Sequence, residues 1–156
     1  MKRVSLVFII LFSFFTLFPE SAEQSFLTLK YQATAIGEIS LAYRLQALTM
    51  SLAAAKAVDN EYITAILDET DATVSNGKSI ILAKNTNPDV LTKEIVSAFD
   101  QLLKCSGSIK KYSAAKEKNN RGEVEKCLEI SKKNIDKLTE AHYKIQNKNK
   151  GNGVKK

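Results

Sequence analysis

The sequence predicts an all-α fold: an antiparallel, up-down-up-down four-helix bundle preceded by an N-terminal signal segment. Three observations carry this expectation. Apolar residues recur every three or four positions in four separate stretches. Breakers are scarce, with Pro88 the last proline and little glycine before the C-terminal tail. Ala, Leu, Lys and Glu, which are good helix formers, are abundant. With 156 residues, 26% charged and 44% hydrophobic, the composition is that of an ordinary globular chain. It excludes a multidomain enzyme, a polytopic membrane protein and a disulfide-dense toxin scaffold.

Lys2 and Arg3 open the chain, an apolar run follows from Val4 to Phe18, and Pro19-Glu20-Ser21-Ala22 comes after it. A basic start, an apolar run of about 15 residues and a small residue beyond is the layout of a secretory signal. The run falls short of the ~20 residues a membrane-crossing helix needs. Residues 1–22 are therefore read as a cleaved signal, with retention as a marginal anchor the alternative, because Glu20 is not the small residue a cleavage site prefers. The bundle is expected over 23–146 and a disordered Lys/Asn/Gly tail over 147–156. Five of the seven phenylalanines lie in the signal, so the core must be mainly aliphatic.

The first helix spans Ser25 to Lys56. One apolar row is Leu29, Ala33, Ile36, Tyr43, Ala47 and Met50, and a second is Leu41, Leu45, Leu48 and Leu52. Together they make a broad apolar face. An outer remnant of it would suit a second subunit, and periodicity does not say whether the monomer covers it. Asp59 is the expected N-cap of the second helix, which carries Tyr62, Ile63, Ile66, Leu67 and Val74. Within it, Val74 to Leu82 admits a hairpin at Asn76-Gly77, although a helix that tolerates or breaks at Gly77 is preferred. Asn87-Pro88 supplies a cap and a first-turn proline for the third helix, with Leu91, Ile95, Ala98, Phe99, Leu102, Ile109 and Tyr112 on its apolar face. Ser106-Gly107-Ser108 is a candidate kink. Asn120 and Glu123 resemble a capping box for the fourth helix. Its repeat of Val124, Leu128, Ser131, Ile135, Leu138, His142 and Ile145 has a period near 3.5, suited to shallow helix crossing.

Cys105 and Cys127 are the only cysteines, in a chain expected to reach an oxidising compartment, secreted or periplasmic. A turn centred on Asn119-Asn120 would offset them by about 7 residues, or ~10 Å along the axis. A disulfide permits a Cα separation of at most about 7 Å. Pairing then requires a longer loop over 113–121 or a kink at Gly107. A structural disulfide is the leading reading, two free buried thiols the next, and a redox or metal role the last.

Charge is distributed unevenly. Residues 23–100 carry six basic and ten acidic side chains, whereas residues 101–156 carry fifteen and six. Lys110, Lys111, Lys116, Lys118 and Arg121 form the candidate anion- or partner-binding surface at the end shared by the third and fourth helices. The competing reading is a solvated face. Lysine outnumbers arginine and only Tyr112 is near for stacking, so nucleic acid is disfavoured as a partner.

The chain has one histidine, His142, placed in an apolar row, with no H-x-x-x-H, H-E-x-x-H or G-x-S-x-G motif. The Asp68, Glu69 and Asp71 cluster lacks the offsets of a calcium loop. Neither C-x-x-C-H nor the Glu-x-x-His pairs of a di-iron bundle occur. No catalytic residue, metal ligand or cofactor is expected. Gly122 to Lys133 is similar to one hairpin of a tetratricopeptide repeat, but no second copy follows at a period of about 34 residues, so no family is implied. The expected function is that of an exported, non-catalytic binding or interaction protein using the basic surface. The alternatives are a carrier with a cavity beside Ala53, Ala54 and Ala55, or attachment to anionic lipid headgroups or acidic polysaccharide.

Overall fold

The computed structural model describes residues 19–84, 88–115 and 118–153. It contains four helices: α1 (Pro19–Ala55), α2 (Asn60–Lys84), α3 (Val90–Ala115) and α4 (Lys118–Gly153). No strand occurs among the described residues. The arrangement is consistent with a four-helix bundle. The apolar run at 4–18 lies outside the described residues.

The helix ends follow local chemistry. α1 stops where Lys56 adopts a left-handed conformation, φ 53°. The Lys56 and Ala57 amides then turn back to the carbonyls of Ala53 and Leu52. This is the Schellman arrangement, with lysine where glycine is usual. Asp59 caps α2 as the sequence suggests, its Oδ1 accepting the Tyr62 amide at 2.7 Å.

The cap of α3 differs from expectation. Asp89, not Asn87, accepts the Thr92 amide at 2.7 Å, and Asn87 lies outside the described residues. Burial pushes the Asp89 carboxyl pKa up. Hydrogen bonds from the Thr92 backbone and side chain and from Gln32 outweigh burial and hold the pKa below its ordinary value.

Of the other local expectations, the preferred continuous helix through Gly77 holds and the Asn120 cap is corrected. α2 passes unbroken through Asn76-Gly77, so no hairpin forms. A Cβ at position 77 would overlap the Glu38 carboxylate and lie 3.1 Å from the Phe99 ring. The glycine is thus used for close helix approach, not for a turn. α3 likewise continues through Ser106-Gly107-Ser108. α4 begins before Asn120, which therefore lies inside the helix rather than capping it, and it extends to Gly153.

The early start of α4 also resolves the cysteine offset. Residue 116, at the α3–α4 junction, is equidistant in sequence from Cys105 and Cys127. No longer loop or kink is needed. The sulfurs are 2.11 Å apart and the Cα atoms 5.6 Å apart, so the pair is bonded.

Helix α1 packs against all three other helices, whereas the backbones of α2 and α4 do not come close among the described residues. Gln32 on α1 bonds Thr92 on α3, and Gln46 bonds Leu102, so these two helices run parallel. Between α2 and α3 the order reverses: Lys78 meets Asp100, Asp71 meets Ser106 and Asp68 meets Lys110.

The core has two apolar clusters. The larger centres on Ile39, Ile81, Ile95, Phe99 and Leu102. The smaller joins Met50, Ile63, Leu67, Ile109 and Val124. On α3 they are separated by the turn bearing Cys105 and Ser106. There Cys105 Sγ lies 3.4 Å from Ser131 Oγ, and Gln101 donates to Cys127 Sγ at 3.2 Å. A buried polar belt, clamped by the disulfide, thus divides the core.

The disulfide closes a loop of 22 residues, which corresponds to about 3 kcal/mol of lost unfolded-state freedom. The double replacement Cys105→Ala, Cys127→Ala is expected to lower the unfolding free energy by about that amount in urea titrations, with helical circular dichroism retained.

Candidate functional site

Helix α1 turns its faces in an order the apolar pattern does not suggest. Its most buried residues are Gln32, Ile39, Ala42, Gln46 and Thr49. Gln32 Nε2 donates to both Asp89 oxygens and to Thr92 Oγ1, at 3.0–3.1 Å. Gln46 Nε2 donates to the Leu102 carbonyl at 2.9 Å. Thr49 satisfies its hydroxyl on the Leu45 carbonyl of its own helix. The two glutamine amide nitrogens thus find acceptors on the α3 side, whereas the Gln32 and Gln46 side-chain oxygens are buried without a partner among the described residues.

The leucine row consequently faces out. Leu41 is 59% exposed, Leu48 57% and Leu45 38%. Of the other expected row, Ala33 is exposed and Leu29, Tyr43 and Ala47 are only half-buried, while Ile36 and Met50 reach the core. A helix apolar on both sides belongs to a buried position, yet none of the other three helices covers this side of α1.

Leu41 and Leu45, but not Leu48, line a groove of about 310 Å³ between α1 and α2, together with Glu38, Ile66, Glu69 and Thr73 among others. Its two charged residues are both acidic. Glu38 is half-buried, with its carboxylate in the notch that Gly77 leaves open beside Phe99. It has no ion pair among the described residues, and burial raises its pKa above the ordinary value. The alanines once expected to leave a cavity lie elsewhere: Ala53 packs on the smaller core cluster and Ala55 is exposed at the helix end.

The basic residues singled out in the sequence are not displayed as one free patch. Lys110 spans to α2, donating to Asp68 Oδ1 at 2.7 Å and Asp71 Oδ2 at 2.6 Å. Ser106 donates to the same Asp71 oxygen at 2.9 Å. Burial lowers the Lys110 pKa, but the two aspartates outweigh it and raise it overall. Arg121 pairs with Glu125 at 2.8 Å on its own helix. Lys111 is exposed. Lys116 and the side chain of Lys118 lie outside the described residues. Asp68 and Asp71 of the acidic cluster therefore supply Lys110 with its partners. No spacing rule within one helix reveals a pairing across two.

His142 is buried in α4. Its Nε2 is hydrogen-bonded to the Gln146 side-chain amide at 2.9 Å, with the donor set by the ring tautomer. Nδ1 is buried without a partner. Burial lowers the His142 pKa. Among the described residues no group of three or more His, Cys, Asp or Glu is placed to hold a metal ion. No helix among them is long and apolar enough to cross a membrane.

Two substitution tests follow from this geometry. Lys110→Met leaves the mostly buried Asp71 without its cation and is expected to destabilise the fold by about 1–2 kcal/mol. Asp68→Asn removes only an exposed partner and should cost less than about 0.5 kcal/mol in the same urea titration.

For His142, the unfolded chain takes up a proton at higher pH than the folded one. Its contribution is complete above the ordinary histidine range near 6.5 and declines as pH falls through it. Glu38, with its raised pKa, acts in the opposite sense at lower pH. The difference between the parent and His142→Gln isolates the histidine. From pH 7 to 5.5 the parent should lose stability that the variant keeps.

Compared with protein-family models, with curated proteins and with solved structures, the chain has no match.

Proposed function

We propose that this is an exported, non-catalytic helical interaction protein that engages another protein through the outer face of α1. The observation that supports the reading most directly is the exposure of Leu41, Leu45 and Leu48 along two turns of one helix. Contiguous exposed apolar side chains on a small domain mark a contact surface. The disulfide fits an oxidising compartment, and the basic, apolar start of the sequence supplies the export signal. The lysine-rich end is the weaker contact surface, since Lys110 and Arg121 are already paired within the molecule.

The reading is tested by site-specific photo-crosslinking in the native host, with a photoreactive residue at position 45 and, as control, at the exposed position 111. A discrete protein adduct from position 45 and none from 111 is expected. Absence of an adduct at 45, or an equal one at 111, overturns the assignment of the α1 face.

A further inference from the structure

Resting on that reading, we propose that the α1–α2 groove receives a cationic amphipathic helix of the partner protein, its apolar stripe on the leucines and a lysine or arginine on Glu38. Shape and charge argue for this occupant together. Leu41, Leu45 and Leu48 are spaced four and three apart, so they form a strip about 10 Å long. That is the footprint an amphipathic helix fills with residues at i, i+3 or i+4, and i+7.

The strip is continuous with the groove of about 310 Å³, whose lining includes Ile66 as an apolar floor residue and two carboxylates but no base. Glu38 precedes Leu41 by one turn, on the same side of α1. Its carboxylate lies in the Gly77 notch, which the Phe99 ring also borders, half removed from water and without a cation among the described residues. A half-desolvated carboxylate is a standing electrostatic cost that an incoming ammonium or guanidinium relieves. Glu69 offers a second, more exposed acid on the opposite wall. The segment that supplies both walls leans the same way, residues 23–100 carrying ten acidic against six basic side chains.

An anionic helix would place like charges against both walls. A second copy is disfavoured because the acidic walls of two identical grooves would face each other across a two-fold axis.

The test uses two labelled synthetic helices of about four turns. Both carry the same leucine stripe, one with lysine and the other with glutamate at the flanking positions. Fluorescence anisotropy with the full, oxidised protein should show binding of the lysine peptide only. Glu38→Gln should weaken it about tenfold, which is about 1.4 kcal/mol. Leu45→Gln should weaken it by at least as much, with thermal unfolding of both variants confirming an intact fold. Bound peptide should also lower the Glu38 carboxyl pKa read by NMR. Equal binding of the two peptides, insensitivity to either substitution, or a dimer that Leu45→Gln dissociates in sedimentation velocity each overturns the proposal. If the lysine peptide fails while position 45 still yields a protein adduct, the interaction reading stands and only this occupant is wrong.

Discussion

The register between α1 and α3 is the constraint on which the rest of the molecule depends. These parallel helices touch across the centre, and the backbones of α2 and α4 do not approach each other closely among the described residues. Apolar contact alone fixes the axial position of two helices weakly, because one leucine can replace another after a slide of one turn. Here Gln32 must reach Asp89 and Thr92, and Gln46 must reach the Leu102 carbonyl. A slide of about 5.4 Å would break both sets and bury the amides without partners. Directional bonds therefore hold this one register.

That choice determines the surface as well. A helix has a limited arc to offer its neighbours. In α1 the inward arc is occupied by Gln32, Ile39, Ala42, Gln46 and Thr49, so the leucines rotate outward. Specificity of packing is gained at the expense of apolar burial, and the displaced apolar surface becomes available to another molecule. The same register sets Glu38 against Gly77 and Phe99, which gives the exposed strip a partly desolvated acid at one end.

The polar belt shows a similar economy of position. Cys105 and Cys127 bond at the level where α3 turns Ser106 toward Asp71, and Lys110 closes the same region from the next turn. The covalent link and the ion pair act on different partners of α3, one on α4 and one on α2. Together they hold the central level of the bundle while apolar clusters fill the two ends. The cost is charge display: Lys110, the first lysine of the basic stretch, is directed to the exposed Asp68 and the more buried Asp71 of its own fold.

Much of this was legible in the sequence, and the exceptions have physical causes. The α-class, the four helices, the Asp59 cap and the core rows of α3 and α4 followed from periodicity and capping, which are local. The Asn87 cap and the Asn120 capping box failed because neighbouring positions competed: Asp89 accepts the Thr92 amide, and α4 starts before Asn120. The cysteine mismatch came from the same short shift of one turn. Gly77 carried a turn signal whose real use, close approach to Glu38 and Phe99, exists only between helices.

By itself, the sequence determined which segments become helices and which of their stripes are apolar, because both depend on residues within a few positions of one another. Only the tertiary structure decided which stripe of α1 is covered, which lysines are already paired and where the one half-desolvated acid of the groove sits. Those outcomes depend on partners about forty to sixty residues away, whose distance and direction no local pattern encodes.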